Sequence, residues 1–327
     1  MADNPLVSII IPAYNSGQFI AETLVSALAQ TWANKEVIVI DNGSTDDTIQ
    51  VLEQFKDQII IIKTTQNKGA AAARNTGLAM AKGLYIQFLD ADDLLSANKI
   101  ESQLKVLNLS TTQLSLCKTV HFNNGDNHTL AEPLHSWFDK DMDDPVDFLV
   151  KLYVGEEVLP GYGGMATVHS WLTPTQLIKQ AGPWNEELSV DDDGEFFARV
   201  ILASDGIRYS DEALCYYRKF TDGRSLSSQK TLKALQSSIK AIDLKYQHLK
   251  TKFPAEIVDR IFARFYWWTG IIAYPEFKKQ SAQCVNKAKQ LGYKGPKYTG
   301  GPAGQRIAKL FGWKAARLLS DMYWNKK

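Results

Sequence analysis

The chain predicts an α/β fold: a mostly parallel central sheet flanked by helices, with a helical C-terminal extension. Three observations carry the prediction. β-branched runs recur early in the 327 residues, at Val7–Ile11, Val37–Ile40 and Ile59–Ile62. Segments with apolar residues at helical spacing lie between them, and turn residues bound each run. Strands that alternate with helices pair in parallel and need cover on both sheet faces.

Residues 6–12 read as the first strand, closed by Pro12, which has no N–H for a ladder. Residues 16–31 read as a helix, because Ile20, Leu24, Ala27 and Leu28 fall on one face. Residues 36–40 form the second strand. A short helix over 46–56 follows, with Ser44 or Asp46 as its N-cap. Residues 58–63 form the third strand. The Ala-rich stretch Ala70–Lys82 is helical and stops at Gly83, and residues 84–89 form the fourth strand. Thr119–Phe122 suits a further strand, and residues 135–145 suit a loop rich in Asp and aromatics. From 228 to 327 the pattern is helical, interrupted at Pro254, Pro275, Gly292–Pro296 and Gly300–Pro302. The expected division is a catalytic domain over 1–227 and a basic helical region over 228–327, with the linker near 225–229.

Cys117, Cys215 and Cys284 are far apart and have no paired spacing. That pattern argues against a disulfide framework or a zinc site and fits a reducing cytosol. Met1–Pro5 has no basic stretch followed by an apolar one, so no signal peptide is expected. No apolar run reaches the roughly 18 residues that span a bilayer. The net charge of +1 conceals an asymmetry. Residues 230–327 hold twenty Lys and Arg against five Asp and Glu, a net of +15, while 17 basic and 31 acidic residues before them net −14. A basic segment of this kind implies an anionic partner.

The fourth strand, Tyr85–Leu89, stops in Asp90-Ala91-Asp92-Asp93. Three carboxylates in four residues repel one another, and a hard divalent cation shared with substrate phosphates relieves that repulsion. In open parallel sheets, ligands bind beyond the carboxyl ends of the strands. Ala13-Tyr14-Asn15, Asp41-Asn42 and Asp90-Ala91-Asp92 all lie at such ends. A second run, Asp191-Asp192-Asp193-Gly194-Glu195, precedes a helical pattern. Acidic residues suit a helix N-terminus, but a carboxylate there also suits a general base.

Five motifs occur in order: Ile10-Ile11-Pro12-Ala13-Tyr14-Asn15; Val39-Ile40-Asp41-Asn42-Gly43-Ser44-Thr45-Asp46; Asn67-Lys68-Gly69 with Ala73-Arg74-Asn75; Phe88-Leu89-Asp90-Ala91-Asp92-Asp93; and Asp191 to Phe197. On them the chain resembles the family 2 glycosyltransferases, which have the GT-A fold, are inverting and use nucleotide sugars. The likeness covers roughly residues 5–225. It implies a nucleoside diphosphate sugar as donor and a divalent metal (Mn or Mg) at the Asp-X-Asp motif, with Asp92 as the metal ligand and Asp90 near the ribose or sugar. Pro12, Ala13, Tyr14, Asn15, Asp41, Asn42, Lys68, Gly69, Arg74 and Ala91 complete the implied donor site. The family often carries a second acid where Asn42 stands, which leaves the base open. Asp93 is expected to cap the next helix.

The resemblance makes Asp193 the base, with Asp192 on the acceptor side and Glu195 as its runner-up. His169 and Trp171 are further acceptor-side candidates, Trp171 for stacking on a sugar. Arg218 and Arg224 are read as part of a loop over 218–228 that closes on the diphosphate. A nucleotidyltransferase-like enzyme and an inactive sugar-nucleotide-binding protein remain the alternative readings. From Gln305 to Trp324 a single helical projection puts Ile307, Ala308, Phe311, Ala315, Leu318, Leu319, Met322 and Tyr323 on one side and Arg306, Lys309, Lys314 and Arg317 on the other. That pattern suits an interfacial helix on an anionic membrane. Its alternative is a helix packed by its apolar side on the catalytic domain. The expected setting is the cytoplasm, peripheral at the inner face of the membrane. The expected acceptor is carbohydrate or lipid-linked, in polysaccharide or glycolipid assembly, and no nucleic-acid partner is expected.

Overall fold

A computed structural model describes residues 4–133, 136–155, 159–220 and 230–324. The chain forms two compact units: residues 1–152 with 163–229, and residues 153–162 with 230–327. The short stretch 153–162 thus groups with the helical region, which sequence pattern did not indicate.

The first unit is built on an eight-stranded sheet in the order β3-β2-β1-β4-β7-β6-β8-β5. Its strands are β1 Val7–Ala13, β2 Lys35–Asp41, β3 Ile60–Lys63, β4 Tyr85–Phe88, β5 Leu94–Leu95, β6 Leu114–Asn123, β7 Trp171–Pro174 and β8 Ile207–Lys219. Its helices are α1 Ile20–Leu28, α2 Thr48–Glu53, α3 Ala70–Met80, α4 Lys99–Leu107, α5 Pro145–Val154, α6 Thr175–Ala181 and α7 Asp192–Leu202, with the last two residues of α5 past the unit boundary. β1 pairs in parallel with β2 and β4, and β2 with β3. β1 and β2 are apolar runs because both faces are covered, while the edge strand β3 is partly exposed. Val7, Ile9, Ile10 and Ile11 are fully buried, as are Ile38, Val39 and Ile40. The other half is mixed. β7 runs antiparallel to β4 and β6, and β8 pairs in parallel with β6 through a bulge at Cys117/Lys118.

The antiparallel β7 brings the segment before it alongside the end of β4. Buried Gln87 on β4 donates from Nε2 to the His169 carbonyl at 3.0 Å. Lys99, also fully buried, bonds to the Gln87 amide oxygen and to the Trp171 carbonyl. Burial pulls its ammonium down to about 8. The polar positions inside this sheet therefore hold the site end of β4 in place.

The second unit contains α8 Leu232–Lys250, α9 Ala255–Ala273, α10 Lys278–Gln290, α11 Pro302–Phe311 and α12 Trp313–Trp324. α9 is its centre. Tyr266 and Trp267 are buried there, Trp267 stacks on Tyr293 at 4.7 Å, and Tyr266 and Lys287 both bond Asp243. The single helix expected over 305–324 is broken. Gly312 has φ +86°, a left-handed conformation that favours glycine, and it ends α11. Arg317, expected on the solvent side, instead donates to the carbonyls of Tyr274 and Ile272. Ala316 is buried, whereas Leu310, Phe311, Leu318, Leu319, Met322 and Tyr323 are exposed. The expected alternative, with the apolar side packed inward, does not hold for these side chains. Among the described residues no helix is long and apolar enough to cross a membrane.

Gly83, the predicted stop of α3, is set by close backbone approach. Its N–H donates to Ser8 Oγ at 2.8 Å, and a Cβ there would lie 2.5 Å from the Ser8 amide nitrogen. We expect Gly83→Ala to destabilise the protein by about 2 kcal/mol through overpacking against β1. Chemical denaturation measures it, and an unchanged midpoint would refute the backbone contact as the reason for glycine.

Candidate active site

The parallel strands β1 and β2 and the segment after β4 end on one edge of the sheet. Loops there are stitched together by short polar side chains. Asn15, with φ +49°, donates its N–H to Ser44 Oγ and accepts from the Thr45 N–H at 2.8 Å. Asn and Asp tolerate this backbone region better than bulkier residues. Asp46 accepts from the N–H groups of Gly17 and Thr48. Pro12 and buried Ala13 form the end of β1, and the Ala13 carbonyl accepts from the Asn42 N–H at 2.8 Å. Tyr14 beyond them is 45% exposed, leaving its ring open to a ligand.

The side chain of Asp41 is buried and accepts from the Ser44 N–H. Asn42 uses its amide inside the protein. Its Nδ2 donates to Asn67 Oδ1 and the Gly69 carbonyl, and its Oδ1 accepts from the Lys68 N–H. A carboxylate has no donor for the first two bonds. Asn42 therefore shapes the Lys68–Gly69 turn, and Gly69, at φ +94°, leads into α3.

Arg74 on α3 joins the two acidic runs. Its Nη2 lies 2.8 Å from Asp90 Oδ1, and its Nη1 lies 2.9 Å from Asp192 Oδ2. The guanidinium is buried and sits 4.5 Å above the ring of Trp184. Burial opposes its charge, but Asp90 and Asp192 outweigh burial and keep it protonated. The next residue, Asn75, clasps the same turn: its Oδ1 accepts from the Trp184 N–H, and its Nδ2 donates to the Trp184 carbonyl. Trp184 stacks on Phe196 of α7 at 4.0 Å. The turn Gly182-Pro183-Trp184 thus seats its tryptophan beneath the arginine, a position that no local sequence pattern signals.

Asp191, at φ +61°, leads into α7, so three acidic side chains sit in its first turn, where the helix dipole favours them. Burial first, then the charges of Asp192 and Asp191, push Asp193 up to about 7. Burial and the Asp90 charge push Asp92 up to about 6. Asp192 is raised by burial while Arg74 opposes. Perturbed carboxylates gathered around one buried cation are the pattern of a reactive site.

Several sequence expectations are corrected. Trp171 is 1% exposed and stacks on Phe197 at 5.3 Å, so it belongs to the core and cannot stack on a sugar. His169 is fully buried, with Nδ1 3.2 Å from Asp93 Oδ2 at ion-pair distance, and does not face an acceptor. Burial opposes its charge, yet Cys215 and Asp93 raise it to about 9. Asp93 caps no helix, since Asn98 precedes α4; it accepts from the Arg218 N–H at 2.7 Å. Glu195 is buried and held by both Nε and Nη2 of Arg199, which removes it as a base. Arg218 lies in β8 rather than in a loop. It bonds Glu22 at 2.6 Å and the Asp92 carbonyl at 2.8 Å, and its guanidinium sits 4.7 Å from the ring of Phe122. It therefore fixes the Asp92 backbone from below. Arg224 lies outside the described residues.

Asp90, Asp93 and His169 each offer a ligand atom within 4.8 Å of the others. Asp93 is already shared between His169 and the Arg218 backbone. Among the described residues, no other residue donates a hydrogen bond to the Asp92 carboxylate. Asp90 is partly exposed, and both it and Asp92 carry the oxygen donors that hard divalent cations take.

Comparison with known proteins follows the same lines. The model of Glycosyl transferase family 2 matches residues 8–154. The chain is 31% identical over 246 residues to the Escherichia coli UDP-Glc:alpha-D-GlcNAc-diphosphoundecaprenol beta-1,3-glucosyltransferase WfaP, covering 74% of this chain and 89% of that protein. It is 41% identical over 106 residues to the putative teichuronic acid biosynthesis glycosyltransferase TuaG of Bacillus subtilis, covering 32% of this chain and 42% of that protein. The crystal structure of S. aureus TarS 1-349 in complex with UDP-GlcNAc superposes with a TM-score of 0.68 at 19% identity, covering 98% of this chain and 92% of that one, which shows a shared fold. With its strand-end motifs and its paired acidic runs, the chain belongs to glycosyl transferase family 2 and is a glycosyltransferase.

Proposed function

We propose that this enzyme transfers a glycosyl group, with inversion, from a uridine diphosphate sugar to a hydroxyl of a lipid-linked carbohydrate acceptor in polysaccharide or glycolipid assembly. The observation that carries the reading is Asp193, a carboxylate pushed up to about 7 next to Asp192, which Arg74 bridges to Asp90. The acceptor hydroxyl attacks the anomeric carbon and gives its proton to Asp193 while the bond to the diphosphate oxygen breaks. Arg74 keeps Asp192 and Asp90 in place on either side of this path. Tyr14, Asp41 and the Lys68–Gly69 turn receive the nucleoside.

Asp92 and Asp90 are the residues that would hold a divalent cation, whose chemistry is to neutralise the departing diphosphate. The uridine donor and the lipid-linked acceptor are supported by what WfaP is named for, and TuaG supports an envelope polymer. Work at the cytoplasmic face of a membrane is supported by three free buried thiols and by the basic C-terminal unit with its exposed apolar side chains.

Asp193→Asn is expected to lower kcat by roughly two to four orders of magnitude and to leave donor affinity nearly unchanged. Glu195→Gln should act on stability instead, because it breaks the buried contact with Arg199. Steady-state kinetics with a UDP-sugar decide this, and an active Asp193→Asn enzyme would remove the base assignment. The wild-type kcat should rise with pH through about 7, where Asp193 loses its proton. Stability should move the other way. The folded carboxylate binds its proton more tightly than the unfolded one, which has a pKa of about 4, so this contribution is present below that pH and is lost as pH rises toward about 7. Both trends should vanish together in Asp193→Asn.

Turnover should also require a divalent cation. Asp92→Asn is expected to lose most activity while its melting temperature stays within a few degrees of wild type. Full turnover in excess chelator would rule out the metal.

A further inference from the structure

We propose that the helical unit carries a second ligand site: a cavity of about 400 Å³ that seats the phosphate of a membrane lipid head group. The cavity is bounded by Arg264, Trp268, Ile271 and Ile272 of α9, by the turn at Tyr298, and by Arg317 of α12. Among the described residues no acidic side chain lines it. Arg317 spends Nε on the Tyr274 carbonyl at 3.0 Å and Nη2 on the Ile272 carbonyl. Those bonds orient the guanidinium without neutralising it. Among the described residues no carboxylate lies within ion-pair distance of Arg317, and its Nη1 has no protein partner. Arg264 is steadied from behind by the Tyr153 carbonyl at 2.8 Å. The planar Arg317 guanidinium, oriented by backbone bonds, suits the fork geometry of phosphate recognition, and Arg264 lines the wall beside it.

The walls identify the rest of the ligand. An inorganic anion has no use for Trp268, Ile271 and Ile272, yet these form one side. Ile272 is 68% exposed although it lines the cavity. Leu318 and Leu319, which follow Arg317 directly, are exposed, as are Met322 and Tyr323 one turn on and Leu310 and Phe311 on α11. Lys309 and Lys314 are exposed beside them. Exposed apolar side chains with lysines at their edge, around an aromatic and arginine cavity, match a bilayer surface: acyl chains meet the leucines and phosphate meets the arginines. The net +15 of residues 230–327 adds long-range attraction to an anionic leaflet.

This inference rests on the reading that the C-terminal unit meets a membrane, and the experiment separates the two. Full-length protein is floated with phosphatidylcholine vesicles with and without phosphatidic acid, and titrated with dioctanoyl phosphatidic acid and with inorganic phosphate. Wild type should bind the phosphatidic acid vesicles and bind the soluble lipid at one saturable site. Arg317→Gln and Trp268→Leu should each weaken that site by about tenfold, the scale of one lost charge-assisted contact. Arg317→Lys should recover part of it. Leu318→Ser with Leu319→Ser should weaken vesicle binding and leave the soluble lipid bound. Turnover on a soluble acceptor should be unchanged in all of them. Wild type that ignores the anionic vesicles overturns the membrane reading and the site together. Wild type that binds vesicles while Arg317→Gln and Trp268→Leu bind the lipid equally well overturns the site alone. Inorganic phosphate bound as tightly as the lipid makes this a free-phosphate site and overturns the lipid assignment. If Arg317→Gln melts early, Trp268→Leu decides.

Discussion

The ion bridge from Asp90 through Arg74 to Asp192 is the constraint on which the active site depends. Two acidic runs separated by about a hundred residues would repel if brought together bare. A buried guanidinium between them makes the approach favourable, and its planar fork sets their orientation at 2.8 and 2.9 Å. Breaking one partner of such a buried set is costly because the others remain as uncompensated charges. Trp184 beneath the guanidinium and Asn75 beside it link the turn before α7 to α3. A single stretch, Ala73-Arg74-Asn75, therefore positions carboxylates of both acidic runs at once.

The sheet makes that bridge possible by splitting its labour. The parallel half delivers loop ends to one edge, as doubly covered strands do. The antiparallel β7 and the long β8 then return the chain to the same edge. Their buried polar residues hold the Asp90–Asp93 turn from behind. Asp93 takes the Arg218 N–H and faces His169, while the Arg218 side chain grips the Asp92 carbonyl and Glu22. Of the three carboxylates in the run, the innermost is thus structural. Asp90 instead pairs with Arg74, and Asp92 is raised because burial and the Asp90 charge outweigh His169 and Arg218.

The helical unit follows a different logic. Its centre is aromatic, around Tyr266 and Trp267 on α9, and part-buried bonds to Asp243 tie α9 and α10 to α8. Gly312 turns one amphipathic segment into two helices, so the apolar side chains of α11 and α12 do not form one buried stripe. α12 is held through Arg317, Ala316 and Trp313, and the ring of Trp313 lies 5.5 Å from Tyr274. Leu318, Leu319, Met322 and Tyr323 stay exposed.

The sequence by itself determined the parallel half of the fold and the place of its two acidic runs. Val7–Ala13 and Lys35–Asp41 are legible because strands covered on both faces must be apolar throughout, and the acids that end them stand out against that background. Asp92 and Asp193 were readable for the same reason: charge at the end of an apolar run or the start of a helix has few structural explanations. What each neighbouring polar residue does was decided only by tertiary structure. Nothing local separates Glu195 from Asp193, yet Arg199 one helical turn on neutralises the first and leaves the second. His169 and Trp171 read as ligand-facing until β7 is placed inside the sheet, where it buries both. Arg218 read as a loop residue until β8 extended to Lys219 and closed its guanidinium against Phe122 and Glu22. Local pattern reports burial and period. Which charge meets which partner depends on contacts between residues distant in the chain, and those exist only once the sheet has assembled.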